Sequence, residues 1–476
     1  MLRIFVLAIM LNFVYTTSKA QHREANAKDT RTIFNEQARQ SDSLCNVLHD
    51  LGSFEGHFRS FFMNTVNQKE LPDYYALGLG GGLAYYSPII KNFQLGLSGF
   101  IIYNITSSHL GNRNGYSNRY ELALFDVTNP DNHEDLDRLE NLYLRYYFNP
   151  RNKSFIQVGK FHISTPLINL QDSRMRPNLQ EGLWMELNDS HKLKAKAGWL
   201  WRTSPRSTIH WSGIGESVGI YNAGKAVNGQ PATYPGNVKS NFILIGNIEW
   251  DPHENFTYQT WNYFVDNLFN VSLQKLELRK KITRGTFMLG AQYIWQTSMS
   301  DKTTQIADQY ISPDEQSHVI SSRIAFAYPN NSREWSFNYT RITALGRFLF
   351  PREWGAETFY TYNNRERNEG AGDVQALMLE HIRYLDKDQY LSVRGLAGIY
   401  LMPDVNNARL NKYTMPSYYH LNIQGRYKFK GFLHGLQTQI LYIYKGNLDK
   451  NLPEEQEYFH NKVDMHHVSL VMDYYF

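Results

Sequence analysis

The sequence predicts an all-β protein: a closed transmembrane antiparallel β-barrel of 18 strands with an inward-folded constriction loop. Three observations carry this. Alternating apolar and polar runs recur from Phe54 to the last residue, Phe476. Their connections alternate between short turns and long loops. Aromatic residues make up 14% of the chain, yet the mean hydropathy is only −0.50. A strand with one face in lipid and one in water reconciles those two values, and the rings collect where a barrel crosses the membrane interfaces.

The amino terminus reads as a secretory signal peptide over residues 1–20. Arg3 precedes an apolar run from Ile4 to Tyr15, and Ser18 and Ala20 stand at the small-residue positions of a cleavage site. The run is too short to cross a bilayer as a helix. Its removal takes away Arg3 and Lys19 and lowers the formal charge from +4 to +2. A nearly neutral chain argues against a nucleic-acid partner. Residues 21–53 are polar and charged with weak helical periodicity, the pattern of a periplasmic segment, and are too few for a plug domain. The one cysteine, Cys45, cannot form an internal disulfide. Stability then rests on burial and on a wall without unpaired edges.

The barrel spans 54–476. Runs such as 73–86, 93–105, 140–148 and 420–429 alternate cleanly. Asn149–Asn152, Asn188–His191, Asp251–Asn255, Pro329–Arg333, Asp386–Asp388 and Lys430–Gly431 carry the Asn, Asp, Pro and Gly that tight turns require. Long loops fall near 106–137, 163–177, 204–238, 298–315, 343–371, 402–415 and 447–462. One connection expected to be long, Val265–Phe269, is short. Trp354–Tyr362 belongs to a loop, since one more strand would make the count odd. No repeat of propeller length is present.

The chain ends on "HVSLVMDYYF". Val468, Leu470, Met472, Tyr474 and Phe476 form one apolar face that reaches the final residue. This resembles the terminal signal by which outer-membrane barrels are recognised for insertion, with Phe476 and Tyr474 toward lipid and Tyr475 inward. It implies contact with the barrel assembly machinery and residence in the outer membrane of a Gram-negative bacterium. An edge strand of a soluble domain would show the same alternation, but soluble chains usually trail off in polar residues.

Enzyme signatures are weak. Gly78, Gly80, Gly81 and Gly82 lack phosphate-loop spacing. "GIGES" at 213–217 misplaces its serine for a nucleophile elbow. His466 and His467 point to opposite faces of a strand and cannot share a metal ion. The expectation is a protein without catalytic residues, metal or cofactor.

The segment 158–182, "VGKFHISTPLINLQDSRMRPNLQEG", leaves a strand near His162, turns irregular, and returns near Asn178; a loop of this kind can fold into the lumen. Its Gly-basic strand end, Thr165–Pro166, Asp172–Ser173–Arg174, Pro177 and Glu181–Gly182 resemble the signature region of the OprD-family porins. The stretch 351–374 resembles another loop of that family. The resemblance covers about 54–476. It implies a third loop that narrows the channel, and passage of small solutes, often amino acids or other carboxylates, along a ladder of basic side chains. On this sequence the constriction residues would be His162, Ser164, Thr165, Asp172, Ser173, Arg174 and Arg176.

Alternation tests the ladder. In "LYLRYYF" the apolar set faces lipid and Arg145 faces inward. The same reading places Arg323, Arg394, Arg426 and Lys428 in the lumen, since a charge on the lipid face costs about 2–4 kcal/mol near the midplane. Lys160 and His162 do not fit the pattern. An inward arginine can equally serve only to pair with a carboxylate. The expected function is passive diffusion of small hydrophilic solutes. The alternative is a barrel whose external loops bind a partner, and the position of the loop 163–177 separates the two.

Overall fold

The computed structural model describes residues 52–68, 70–111, 118–151, 153–188, 192–329 and 332–476. The signal peptide and nearly all of the expected periplasmic segment lie outside them, as does part of the turns at Asn149–Asn152, Asn188–His191 and Pro329–Arg333.

The strands are β1 (Ser53–Val66), β2 (Tyr74–Tyr86), β3 (Phe93–Ser107), β4 (Arg138–Asn149), β5 (Ser154–Phe161), β6 (Leu179–Asn188), β7 (Leu193–Ser204), β8 (Ser212–Gly213), β9 (Ile243–His253), β10 (Phe256–Val265), β11 (Phe269–Ile282), β12 (Gly285–Ser298), β13 (Gln316–Ala327), β14 (Arg333–Ile342), β15 (Val374–Tyr384), β16 (Leu391–Leu401), β17 (Tyr418–Lys428), β18 (Leu436–Asn447) and β19 (Met465–Tyr475). The two-residue β8 is an addition to β7. The other eighteen form the wall, each antiparallel to its neighbours in the ring. Closure joins the first strand to the last: β19 pairs with β1 from His57↔Tyr475 to Val66↔His466. Gly56 and Phe476 extend the seam by exchanging both backbone hydrogen bonds, at 2.8 and 3.1 Å. The first and last strands, which would otherwise be edges, are thus paired with each other.

Burial follows period two. On β4, Leu142, Leu144, Tyr146 and Phe148 are exposed on the outer face, while Tyr143 and Tyr147 are buried. On β19, Leu470 and Met472 are exposed, and His467, Ser469, Val471, Asp473 and Tyr475 are buried. The connection between β10 and β11 is three residues, 266–268, and Trp354–Tyr362 forms no strand.

The lumen is occupied by loops. One apolar cluster joins Leu167 and Ile168 to Phe348, Trp354 and Phe359 of the loop 343–373 and to wall residues such as Tyr263 and Phe269. A second joins Leu122, Leu124 and Phe125 of the loop 108–137, together with Met175, to Phe61, Met63 and Phe100. The clusters rest on different sectors of the wall, so polar residues are left between them. Each fully buried leucine or isoleucine contributes about 1.5–3 kcal/mol, which holds these loops in place without a ladder.

Candidate constriction site

The loop 162–178 leaves the end of β5 and crosses the lumen before entering β6. Its first half is a local turn. Thr165 Oγ1 donates to Ile168 O at 2.8 Å and accepts from Ile168 N at 3.0 Å. The hydroxyl of Tyr263 also donates to Thr165 Oγ1, at 2.9 Å. Asn169 locks this turn to the loop 343–373: its Nδ2 donates to Ala356 O at 2.7 Å, and Ala356 N donates to its Oδ1 at 3.1 Å. Asn178 N donates to Leu170 O at 2.9 Å, closing the base of the loop.

The second half is anchored at the closing seam. Arg59 of β1 grips Asp172 with two parallel hydrogen bonds, of 2.5 and 3.0 Å. It also donates to Asp473 of β19 at 2.6 Å and to the carbonyl of Arg174 at 2.8 Å. Burial pushes the Asp172 carboxyl up, but the charge and hydrogen bonds of Arg59 outweigh it and hold the group below its ordinary value. Arg176 forms a two-pronged ion pair with Glu140 of β4 and lies 4.0 Å over the ring of Phe100. It also donates to His57 Nδ1 at 2.9 Å, while His57 Nε2 lies 2.8 Å from Asp473. That pattern assigns His57 as the neutral tautomer protonated on Nε2. A cavity of about 70 Å³ lies beside this network, lined among others by His57, Glu140, His162, Asp172, Arg176 and Tyr475.

A second group of guanidiniums surrounds the loop's middle and its neighbours. Arg206 donates to Ser173 Oγ at 2.7 Å, Arg367 to Gln171 Oε1 at 2.5 Å, and Arg365 to His467 Nε2 at 3.1 Å. Arg174 donates to Ser173 O at 2.6 Å. Among the described residues, Arg174, Arg206 and Arg365 have no carboxylate within ion-pair distance, and the Nε atoms of Arg174 and Arg206 are buried without a hydrogen-bond partner. Burial, then the charges of Arg365 and Arg206, pull Arg174 well below its ordinary pKa. Like charges held this close, with donors free, make a site that an anion would relieve.

The structure sorts the sequence-expected residues. Asp172 and Arg176 are engaged with the wall. Thr165 is fully buried, its hydroxyl committed to the loop's own turn. His162 lies 3.0 Å from Asn141 Oδ1, Ser164 is half-buried beside it, and Ser173 receives Arg206. Arg174 alone of this set combines burial, missing partners and a cationic surrounding. The five ladder residues stand on the inner face, in the halves of their strands nearer the short turns. Arg145 donates to Gln157 and to the hydroxyl of Tyr147, both at 3.0 Å. Arg323 pairs with Glu334, and Arg394 with Glu380 at 2.5 Å. Arg426 donates to Gln439 at 2.9 Å, and Lys428 is half-buried on the same face. Lys160, which fits no inward position, points outward and pairs with Glu181.

Sequence reasoning missed Arg59, His57, Glu140, Arg206, Arg365 and Arg367. Arg59 was within reach, since it stands between inward Phe61 and outward Phe58 on an alternating strand. The loop arginines have no periodicity to mark them.

A closed wall of eighteen strands narrowed by an inward loop defines a porin. A family model, outer membrane porin of the OprD family, matches residues 151–455, nearly two thirds of the chain. The chain belongs to that family, and it is an outer-membrane porin of a Gram-negative bacterium that carries small solutes. No curated protein matches the sequence. Among solved structures it is similar to Pseudomonas aeruginosa OpdO, with a TM-score of 0.67 at 12% identity over 90% of this chain and 99% of that one. It is also similar to Acinetobacter baumannii OccAB4, with a TM-score of 0.65 at 15% identity over 89% and 97%. A third is Pseudomonas aeruginosa OpdK with vanillate, with a TM-score of 0.64 at 12% identity over 89% and 98%. At these identities the likeness is one of fold.

Proposed function

We propose that the porin favours small anionic and zwitterionic solutes, carboxylates and amino acids among them. The observation that supports this is the buried group of Arg174, Arg206 and Arg365, without carboxylate partners among the described residues. A guanidinium in a narrow, partly dry passage attracts an anion more strongly than it would in water, and its planar donors match a carboxylate. The ladder residues continue the basic surface toward the periplasmic mouth, tempered by Glu334 and Glu380. Asp172 and Glu140 are each paired with an arginine of the protein, so the unpaired charge near the loop is positive. OpdK, which shares the fold, was solved with vanillate, and a carboxylate is the chemistry this passage would take.

The rival reading, a barrel that acts through its external loops, would leave the lumen without a built constriction. The loop 162–178 lies inside, tied to the seam through His57 and Arg59, which favours the pore. The outward face of β19, with Tyr474 and Phe476, supports recognition by the barrel assembly machinery. Recording of the purified chain in a planar bilayer tests the reading. A reversal potential in a salt gradient should show anion preference, and carboxylates should reduce the current carried by chloride. A cation-selective or non-conducting channel overturns it.

A further inference from the structure

The wall steps down at one place. β3 runs past its last pair with β4, Phe100↔Arg138, and continues to Ser107 with β2 as its only strand partner, while Asn104 N donates to His133 O of the following loop at 3.0 Å. Pairing of β4 with β5 ends at Leu142↔Lys160, so Arg138–Asn141 have no partner on β5. β5 stops at Phe161 and β6 begins at Leu179. Above that level, between β4 and β7, no strand ladder is present among the described residues.

Three irregularities frame the step. Bulges interrupt β3–β4 at Ser98/Gly99 and β6–β7 at Glu181/Gly182. Gly159 on β5 has a φ of +123°, a conformation closed to residues with a side chain.

Above the ladders the step is bridged by side chains and by one backbone hydrogen bond between loops, Val127 N to Ser207 O at 2.9 Å. On the inner side, Arg138 reaches from β4 to β7 and donates through Nη2 to Ser204 O at 2.5 Å. It is only 3% exposed, and its Nε and Nη1 have no hydrogen-bond partner. The segment 205–213 starts inside with Arg206 and ends at the outer side of the step with Trp211 and β8. β8 pairs with Arg202 and Thr203, and Trp211 Nε1 donates to Leu139 O at 3.1 Å. The Nζ of Lys160 lies 3.9 Å from the Trp211 ring centroid. Leu139 and Trp199 are exposed on the outer face.

We propose that this step is a side exit between lumen and outer leaflet, in which Arg138 holds the carboxylate of an amphipathic solute, its tail passes Leu139 toward lipid, and Trp211 is the latch. A buried guanidinium with two free nitrogens is built for an anion. A seal of a few isolated hydrogen bonds opens more readily than a ladder. The path is distinct from the axial passage at Arg174, so its failure would leave the axial reading standing.

The test uses the full barrel in lipid nanodiscs with dansyl-aminoundecanoate, a fluorescent medium-chain carboxylate. Wild type should bind it saturably after the signal of empty nanodiscs is subtracted. Arg138→Met should weaken binding about tenfold or more, the scale of lost charge-assisted hydrogen bonds, and Arg138→Lys should recover part of it. Trp211→Ala should speed release of the probe into lipid while small-ion conductance stays within about twofold, a difference under 0.5 kcal/mol. Binding no different from empty nanodiscs, or equal in Arg138→Met and wild type, overturns the anion site. Unchanged release from Trp211→Ala overturns the latch. Should Arg138→Met fail to assemble, competition on wild type decides: decanoate should displace the probe and decanol should not, and equal displacement overturns the proposal.

Discussion

Arg59 and Asp172, 113 residues apart in sequence, meet in two parallel hydrogen bonds that tie the constriction loop to the first strand of the barrel. Asp172→Asn removes one charge of this buried contact and leaves Arg59 its second partner, Asp473. A loss of about 1–3 kcal/mol at the loop is expected, less than the 3–5 of a fully broken buried pair. The barrel should still show heat-modifiable mobility, while single-channel traces gain brief closures or noise. Traces as quiet as wild type would mean that the apolar clusters alone fix the loop.

Arg174 and Arg176, two residues apart in sequence, have opposite fates. Arg174→Gln combined with Arg365→Gln removes two charges that have no carboxylate partner. That double variant should assemble normally and shift the reversal potential toward cations. Arg176→Gln instead strands Glu140 in a buried site, and its cost should fall near 3–5 kcal/mol in denaturant titration of the barrel. Equal stability of both variants would contradict the pairing described here.

Lys412 supplies a pH dependence. Its Nζ has no hydrogen-bond partner among the described residues and lies 4.2 Å from the Tyr310 ring and 4.7 Å from that of Tyr234. Glu369, Glu353, Arg347 and Arg352 surround it from the loop 343–373, and Tyr413 from its own loop. Burial pushes the ammonium down to about 7, against the pull of Glu369. An amine that titrates near 10.5 unfolded and near 7 folded binds fewer protons in the fold between those values. Stability of the loop junction therefore rises from pH 7 toward 10 and is lowest below 7. The Lys225 amide, bonded to Lys412 O at 2.7 Å, reports on that junction. Its hydrogen-exchange protection should be greater at pH 9 than at pH 6, and Lys412→Met should remove most of the difference.

The seam makes a steric prediction. A Cβ on Gly56 would stand 2.2 Å from the Phe476 ring, while one on Gly246 would meet no atom within 4 Å. Gly56→Val should sharply lower the yield of folded barrel, and Gly246→Val should leave it near wild type. Comparable yields would mean that the terminal ring moves aside freely.

The wall was legible because alternation and turn chemistry repeat along it. Eighteen strands, the short 266–268 connection and the loop status of Trp354–Tyr362 all follow from those signals. The interior was less so. Asp172 and Arg176 stand out in the sequence by type and spacing, yet what distinguishes Arg176 from Arg174 is Glu140, which sits on another strand at a bulge. Long-range pairing of this kind leaves no local trace. Arg206 and Arg365 lie in irregular loops whose paths are set by packing of Leu167, Phe348 and Trp354, and packing partners are not written in periodicity.

The seam also couples two events in time. Asp473 stands on the last strand of the wall and Arg59 on the first. The loop's anchor needs both: Arg59 is held between Asp172 and Asp473. A barrel without β19 has neither a sealed wall nor a completed anchor for its constriction. The aperture is thus finished in the same step that closes the cylinder, and an immature intermediate cannot pass for a working filter.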